Sequence, residues 1–179
     1  LRFVHMLMNV YIQVFRGTPM IVQAVVIYYG AQYAGVFMDT TFAAVFIISI
    51  NTGAYMAEII RGGIVSVDKG QFEAAHAIGM THWQTMTTVV LPQAIRNILP
   101  SVGNELIVNI KDSSVLNVIS VSELFFQAKS AAGTYYRYFE VYFIIAVIYL
   151  ILTLTVSRIL RAVEKKMDGN SDYELVQED

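Results

Sequence analysis

Three stretches of this sequence run without a single charge for about the width of a lipid bilayer. They are Gly17 to Met38, Thr40 to Ala57 and Val141 to Ser157. A membrane helix needs about 20 mostly apolar residues, within a range of about 17–25. In hydrocarbon only helices and closed barrels satisfy their own backbone polar groups. A fourth apolar stretch, Pro92 to Val121, is interrupted by Arg96, Glu105, Lys111 and Asp112. It suits a buried helix broken near Lys111–Ser114. Composition agrees with this reading: 56% of the 179 residues are hydrophobic and 15% are charged, against about 25% charged in an ordinary soluble domain. The net charge of −2 gives no basic footprint for nucleic acid. The absence of cysteine removes disulfides and thiolate metal sites. The chain opens at Leu1 without a signal-peptide pattern, and an N-terminal piece is expected to precede it.

Basic residues set the expected orientation. Arg2 and Arg16 precede the first stretch, Arg61 and Lys69 follow the second, and Arg158, Arg161, Lys165 and Lys166 follow the last. By the positive-inside rule these flanks are cytoplasmic. The turn at Asp39 and the segment Ser122–Arg137 then lie outside, although Lys129 and Arg137 dilute the asymmetry. Tyr135, Tyr136, Tyr138 and Tyr142 cluster where the last helix enters, as an aromatic belt or as ordinary loop packing. Thr18 is expected to cap the first membrane helix, with Pro19 at its first position. Residues 1–167 read as one membrane domain. Residues 168–179 read as an acidic cytoplasmic tail, disordered by composition.

The polar stretch Arg61–Leu91 cannot cross a membrane. It reads as two short helices. Asp68 caps the first, with Gln71 three residues on, and Gly79 closes it in the left-handed conformation. Thr81 and Gln84 form a capping box for the second, and Pro92 opens the next membrane helix. Ala74, Ala75 and Ala77 keep one surface small. His76, His82 and Trp83 read as packing or interface residues, since two histidines six apart without nearby carboxylates do not make a metal site.

Glu73-Ala74-Ala75, then Gly79, then Val89, Leu91 and Pro92 resemble the EAA loop of binding-protein-dependent ABC importer permeases. Val89 stands where isoleucine is commoner. The segments Tyr11 to Pro19 with Gln23, Tyr55 to Gly63, and Gly103-Asn104-Glu105 leading to Lys111-Asp112-Ser113-Ser114 resemble the polar amino-acid branch of that family. The resemblance implies an all-α polytopic transmembrane bundle of the MetI-like ABC permease fold, in the bacterial cytoplasmic membrane. It implies a coupling loop at about residues 61–92, with Glu73, Ala74, Ala75, Gly79, Leu91 and Pro92 meeting an ABC ATPase. It further implies a second permease copy or close relative, an extracytoplasmic amino-acid-binding protein, and ATP with magnesium on the partner ATPase. This sequence contains no G-x-x-x-x-G-K-[ST] loop of its own.

Asn104, Glu105, Lys111 and Asp112 are the expected substrate path. Ionisable groups at membrane depth cost about 2.5–3.5 kcal/mol each on insertion scales, so they face partners or a watery cavity. Glu105 and Asp112 are seven residues apart, as are Asn104 and Lys111, and two helical turns put each pair on one face. The stripe could bind the ammonium and carboxylate of an amino acid, or Lys111 could form a structural ion pair with Glu105. Glu58 and Arg61 are spaced for an i,i+3 pair that is structural or a gate. Two other readings remain at this point. An ATP-independent transporter or channel predicts an inverted repeat of broken helices, and none is visible. A membrane scaffold needs neither the EAA spacing nor charges inside the membrane.

Overall fold

The computed structural model describes residues 2–168 and is helical throughout, with no strand among them. Helices α1 (Arg2–Gly17) and α2 (Met20–Tyr33) meet at a bend of 113°. Helix α3 (Thr40–Val65) follows, then the short helices α4 (Lys69–Ala77) and α5 (His82–Gln84). A π-helical turn (Thr85–Val90) leads without interruption into α6 (Leu91–Asp112), and a 3₁₀ segment (Ser113–Ile119) continues from it. Helices α7 (Leu124–Tyr135) and α8 (Tyr138–Asp168) complete the order.

The first expected span is corrected. Helix α2 has 14 residues, about 21 Å of rise, which is short of the roughly 30 Å of hydrocarbon. What precedes it is another helix, α1. Its polar residues Arg2, His5, Asn9, Gln13 and Arg16 recur every three or four positions, the period of one helix face. Among the described residues α3 and α8 are each long and apolar enough to cross a membrane, and the bent α1–α2 pair counts as a third if taken together. Thr18 does not cap α2. Its hydroxyl donates to the Val14 carbonyl at 2.8 Å, one of the last four carbonyls of α1, which lack an intrahelical partner. Pro19 therefore occupies the N-cap, in extended backbone, rather than the first helical position.

Other helix ends are capped by side chains. Asp39 starts α3 by accepting from the Thr41 and Phe42 amides at 2.8 and 3.1 Å. Those bonds, Phe42 first, hold its carboxyl below the ordinary range. Helix α3 runs on through Arg61 to Val65, so the polar loop begins later than its first charge suggests. Pro92 does not open a separate helix. It lies in the first turn of α6, continuous with the π turn.

Two cores organise the chain. One joins α2, α3 and the 3₁₀ segment through Ala24, Ala43, Ala44, Ile47, Leu116 and Ile119. The other joins the loop to the α3–α6 pair through Val67, Val90 and Ala94, flanked by Ile64, Phe72 and Met86. Helix α8 instead leaves Phe143, Ile144, Leu150, Ile151 and Leu154 exposed, a surface suited to lipid. Gly63 lets α3 approach α6. A Cβ there would overlap the Ile98 side chain and lie 3.1 Å from the Ala94 carbonyl oxygen. Gly63→Ala should therefore cost about 1–3 kcal/mol by overpacking, read as a lower thermal midpoint of the purified protein in detergent. Gly62→Ala, with open space around it, should stay within about 0.5 kcal/mol of the parent.

Candidate functional site

The bend between α1 and α2 strands backbone carbonyls that a continuous helix would pair. Gln23 recovers them. Its Nε2 donates to the carbonyls of Phe15 and Thr18 and to the Thr18 hydroxyl, each at 2.9 Å. That fixes the amide orientation, so its Oε1 accepts from Asn51 Nδ2 at 2.8 Å. Asn51 Nδ2 also reaches the Phe15 carbonyl at 3.4 Å. Gln23 and Asn51 are 6% and 7% exposed. With both amide hydrogens of Asn51 committed, its carbonyl oxygen has no hydrogen-bond donor among the described residues.

This clamp forms one wall of a cavity of about 280 Å³ lined by Thr18, Pro19, Met20, Asn51, Tyr55, Glu105, Val108, Asn109 and Asp112. The opposite wall is the last two turns of α6. Glu105 and Asp112 both line it, and neither forms an ion pair among the described residues. Asn109 Oδ1 accepts from the Thr52 hydroxyl at 3.0 Å, which leaves its NH₂ free. The lining is two carboxylates, two amides and two hydroxyl-bearing side chains, without a cation. Such a lining accepts hydrogen bonds and attracts an ammonium.

The four residues of the expected path separate. Glu105 and Asp112 come together in the cavity. Asn104 faces a different notch, between α6 and α8, with Ser157, Arg161 and Glu164. Lys111 is exposed, and the ion pair weighed for it with Glu105 does not form. The reason is phase: residues seven apart share a face, but 104 and 105 are a hundred degrees apart on an α-helix. Asn109, expected beside the stripe, lines the cavity; Gln23, Asn51 and Tyr55 are the lining and clamp residues that charge alone did not single out as path. Polar amides inside uncharged stretches were the available signal.

At the other end of α6, the hairpin has the geometry its sequence encodes. Asp68 Oδ1 accepts from the Gly70 amide at 2.7 Å. Gly79 has φ +82°. Its amide bonds the His76 carbonyl at 2.9 Å and that of Met80 the Ala75 carbonyl at 3.0 Å, the paired bonds of a left-handed helix end. The Thr81–Gln84 capping box is formed in both directions. Glu73, Ala74 and Ala77 are exposed while Ala75 is buried. Ile78 and Trp83 are 79% and 75% exposed at the tip. Leu91 is half-buried and Pro92 exposed, at the start of α6.

A hairpin of this form, joined to broken membrane helices around a polar cavity, defines a permease subunit. The chain belongs to the family "binding-protein-dependent transport system inner membrane component", whose model matches residues 1–169. It is 44% identical over 160 residues to the glutamine transport system permease protein GlnP of Escherichia coli (strain K12), covering 88% of this chain and 73% of that one. It is 42% identical over 161 residues to the arginine transport system permease protein ArtQ of Bacillus subtilis (strain 168), covering 89% and 74%. The crystal structure of an amino acid ABC transporter with histidines superimposes with a TM-score of 0.84 at 48% identity, covering 88% of this chain and 74% of that one. An inward-facing MetNI methionine ABC transporter superimposes at 0.70 and 20% identity, a likeness of fold.

Replacing Gln23 by Leu should leave the Thr18 carbonyl unpaired and the Phe15 carbonyl with only the long Asn51 contact, at a cost of about 1–3 kcal/mol, measured as a loss of denaturation midpoint. Asn51→Leu removes the same shared bond. The two losses should therefore add to less than their sum in the double variant. Full additivity would show that the two amides act independently.

Proposed function

We propose that this chain is the membrane subunit of an importer for a polar amino acid, driven by a separate ABC ATPase that docks on the hairpin Lys69–Gln84. Its position is the bacterial cytoplasmic membrane, with the hairpin on the cytoplasmic side. A binding protein delivers the amino acid from the other side, and a second permease copy or relative completes the pathway. The relatives named for glutamine and arginine, and the neighbour holding histidines, support this substrate class.

One observation carries the reading. The α5–π–α6 element runs unbroken from His82 at the hairpin tip to Asp112 in the cavity. These 31 residues would span about 45 Å at helical rise. Work applied to the hairpin therefore reaches Glu105 and Asp112 along one continuous helix, with Pro100 in its interior. The Val67–Val90–Ala94 core seats the hairpin on α3 as well, so the α3–α6 pair moves as a body. The capped Gly79 turn fixes the angle at which the exposed Ala74, Ala77, Ile78 and Trp83 meet the partner. The nucleotide and its magnesium belong to the ATPase subunit, and this chain contributes the mechanical path and the cavity. In that cavity the substrate ammonium meets Glu105, Asp112 and the free Asn51 oxygen. Alternating access then needs two packings biased by nucleotide state.

The test is uptake of radiolabelled L-glutamine and L-arginine into proteoliposomes carrying the full-length permease with its ATPase and binding protein. Uptake should require ATP and both partners. Glu105→Gln and Asp112→Asn should each weaken uptake by about tenfold or more, the worth of a charge-assisted hydrogen bond. Uptake by the permease alone in ATP-free vesicles would instead favour the ATP-independent transporter. Gly79→Val forces a β-branched residue into a left-handed backbone at about 1–3 kcal/mol. It should leave membrane insertion intact while separating ATP hydrolysis from uptake. Normal coupling in that variant would remove the hairpin from the mechanism.

A further inference from the structure

Glu58 lies one helical turn beyond Tyr55 on α3, between the cavity and the hairpin. Two arginines share it. Arg61, on the same helix, holds both carboxylate oxygens, with Nε to Oε1 at 3.0 Å and Nη2 to Oε2 at 2.9 Å. Arg16, from the last turn of α1, makes one contact, Nη1 to Oε2 at 3.3 Å. The Arg16 guanidinium also lies 5.6 Å from the centre of the Tyr55 ring, and Tyr55 lines the cavity. Two residues after Arg16 the chain becomes the cavity wall, at Thr18–Pro19–Met20.

We propose that Arg16 is a releasable latch that closes the cavity on its hairpin side, and that Arg61 sets how easily the latch lets go. This rests on the permease reading above. Three features separate a latch from a static ion pair. The first is asymmetry: the bidentate Arg61 fork is local and survives any motion between helices, whereas Arg16 bridges two helices through a single contact. Glu58 is therefore never left unpaired when Arg16 departs, so opening avoids the penalty of a stranded charge. The second is the loose seat of α1. It buries none of its residues. Its cross-helix polar ties are the Tyr11 hydroxyl on the Ile50 carbonyl, the Gln23 and Asn51 amides on the Phe15 carbonyl, and this ion pair. The third is placement. Arg16 rests on a cavity-lining ring and is bonded through two residues to a cavity-lining backbone, so a ligand that shifts Tyr55 or Thr18 also shifts Arg16.

The two arginines compete for one carboxylate, and that gives the proposal its signature. Removing Arg16 unlatches the wall. Removing Arg61 leaves Glu58 wholly to Arg16 and tightens it. A purely structural cluster would respond in the same direction to either loss.

The experiment uses the full permease with its ATPase and binding protein in proteoliposomes, reading ATP hydrolysis without substrate and uptake of L-glutamine and L-arginine. Arg16→Gln should raise substrate-free hydrolysis by about two- to five-fold, the range an exposed ion pair is worth, and lower the uptake gained per ATP. Arg61→Gln should lower both substrate-free hydrolysis and the maximal uptake rate by a similar factor. Arg16→Lys should restore the parent behaviour, because a single contact needs only a point charge. Arg61→Lys should not, because the fork is lost. Shifts of the same sign in Arg16→Gln and Arg61→Gln, or no shift in either, would overturn the latch while leaving the importer reading intact. If the parent complex takes up neither amino acid with ATP, both readings fall together.

Discussion

The carbonyl groups of Phe15 and Thr18 decide what the rest of this molecule can be. In hydrocarbon an unpaired backbone group costs several kcal/mol, so irregular backbone survives only where protein or a water-filled space satisfies it. Here a 113° bend frees those carbonyls, and a single side-chain amide, Gln23, takes both. Asn51 then secures Gln23 to α3. Once that clamp is closed, the Thr18–Met20 backbone has one place to sit, and that place is a cavity wall. The second irregularity, where α6 gives way to the 3₁₀ segment after Asp112, adjoins the same cavity. These two breaks in regular structure thus gather around the same polar cavity.

The chain divides mechanically along this line. On one side are α3, α6 and the hairpin, drawn together by small residues. Gly63 has no room for a Cβ against α6, and Ala94 is buried beside Val67 and Val90. Close backbone approach through small residues is the usual way membrane helices bind one another, since apolar side chains gain little by leaving lipid. On the other side is α1, with no buried residue. The charged cluster at Glu58 lies across that division, where a stiff pair meets a loosely seated helix.

Much of this was legible in the residues. Asp68, Gly79 and the Thr81–Gln84 box mark helix ends by local chemistry, and local chemistry survives whatever packs around it. The break after Asp112 was visible because charges interrupt an apolar run. The Glu58–Arg61 pair followed from spacing alone. What was hidden depended on neighbours distant in sequence. The uncharged run Gly17–Met38 read as a straight span, because nothing within it announces that Thr18 will serve α1 instead of α2. Arg16 joined Glu58 from 42 residues away. Asn104 and Lys111 looked equivalent to Glu105 and Asp112 by composition and period. Only the azimuth of α6, set by its packing on α3 and α8, separates the cavity face from the others.

That azimuth has a source in the six-residue π turn between Thr85 and Val90. Such a turn is in effect one residue inserted into an α-helix, and each residue of α-helix turns the following side chains by about 100°. The hairpin and the cavity are therefore keyed to each other like the bit and bow of a key. Were all six residues to wind as ordinary α-helix, Glu105 and Asp112 would turn by about 100° off the cavity face. Removing one residue at the same time would bring them back, so the wide turn is the shim that sets the phase between the two ends.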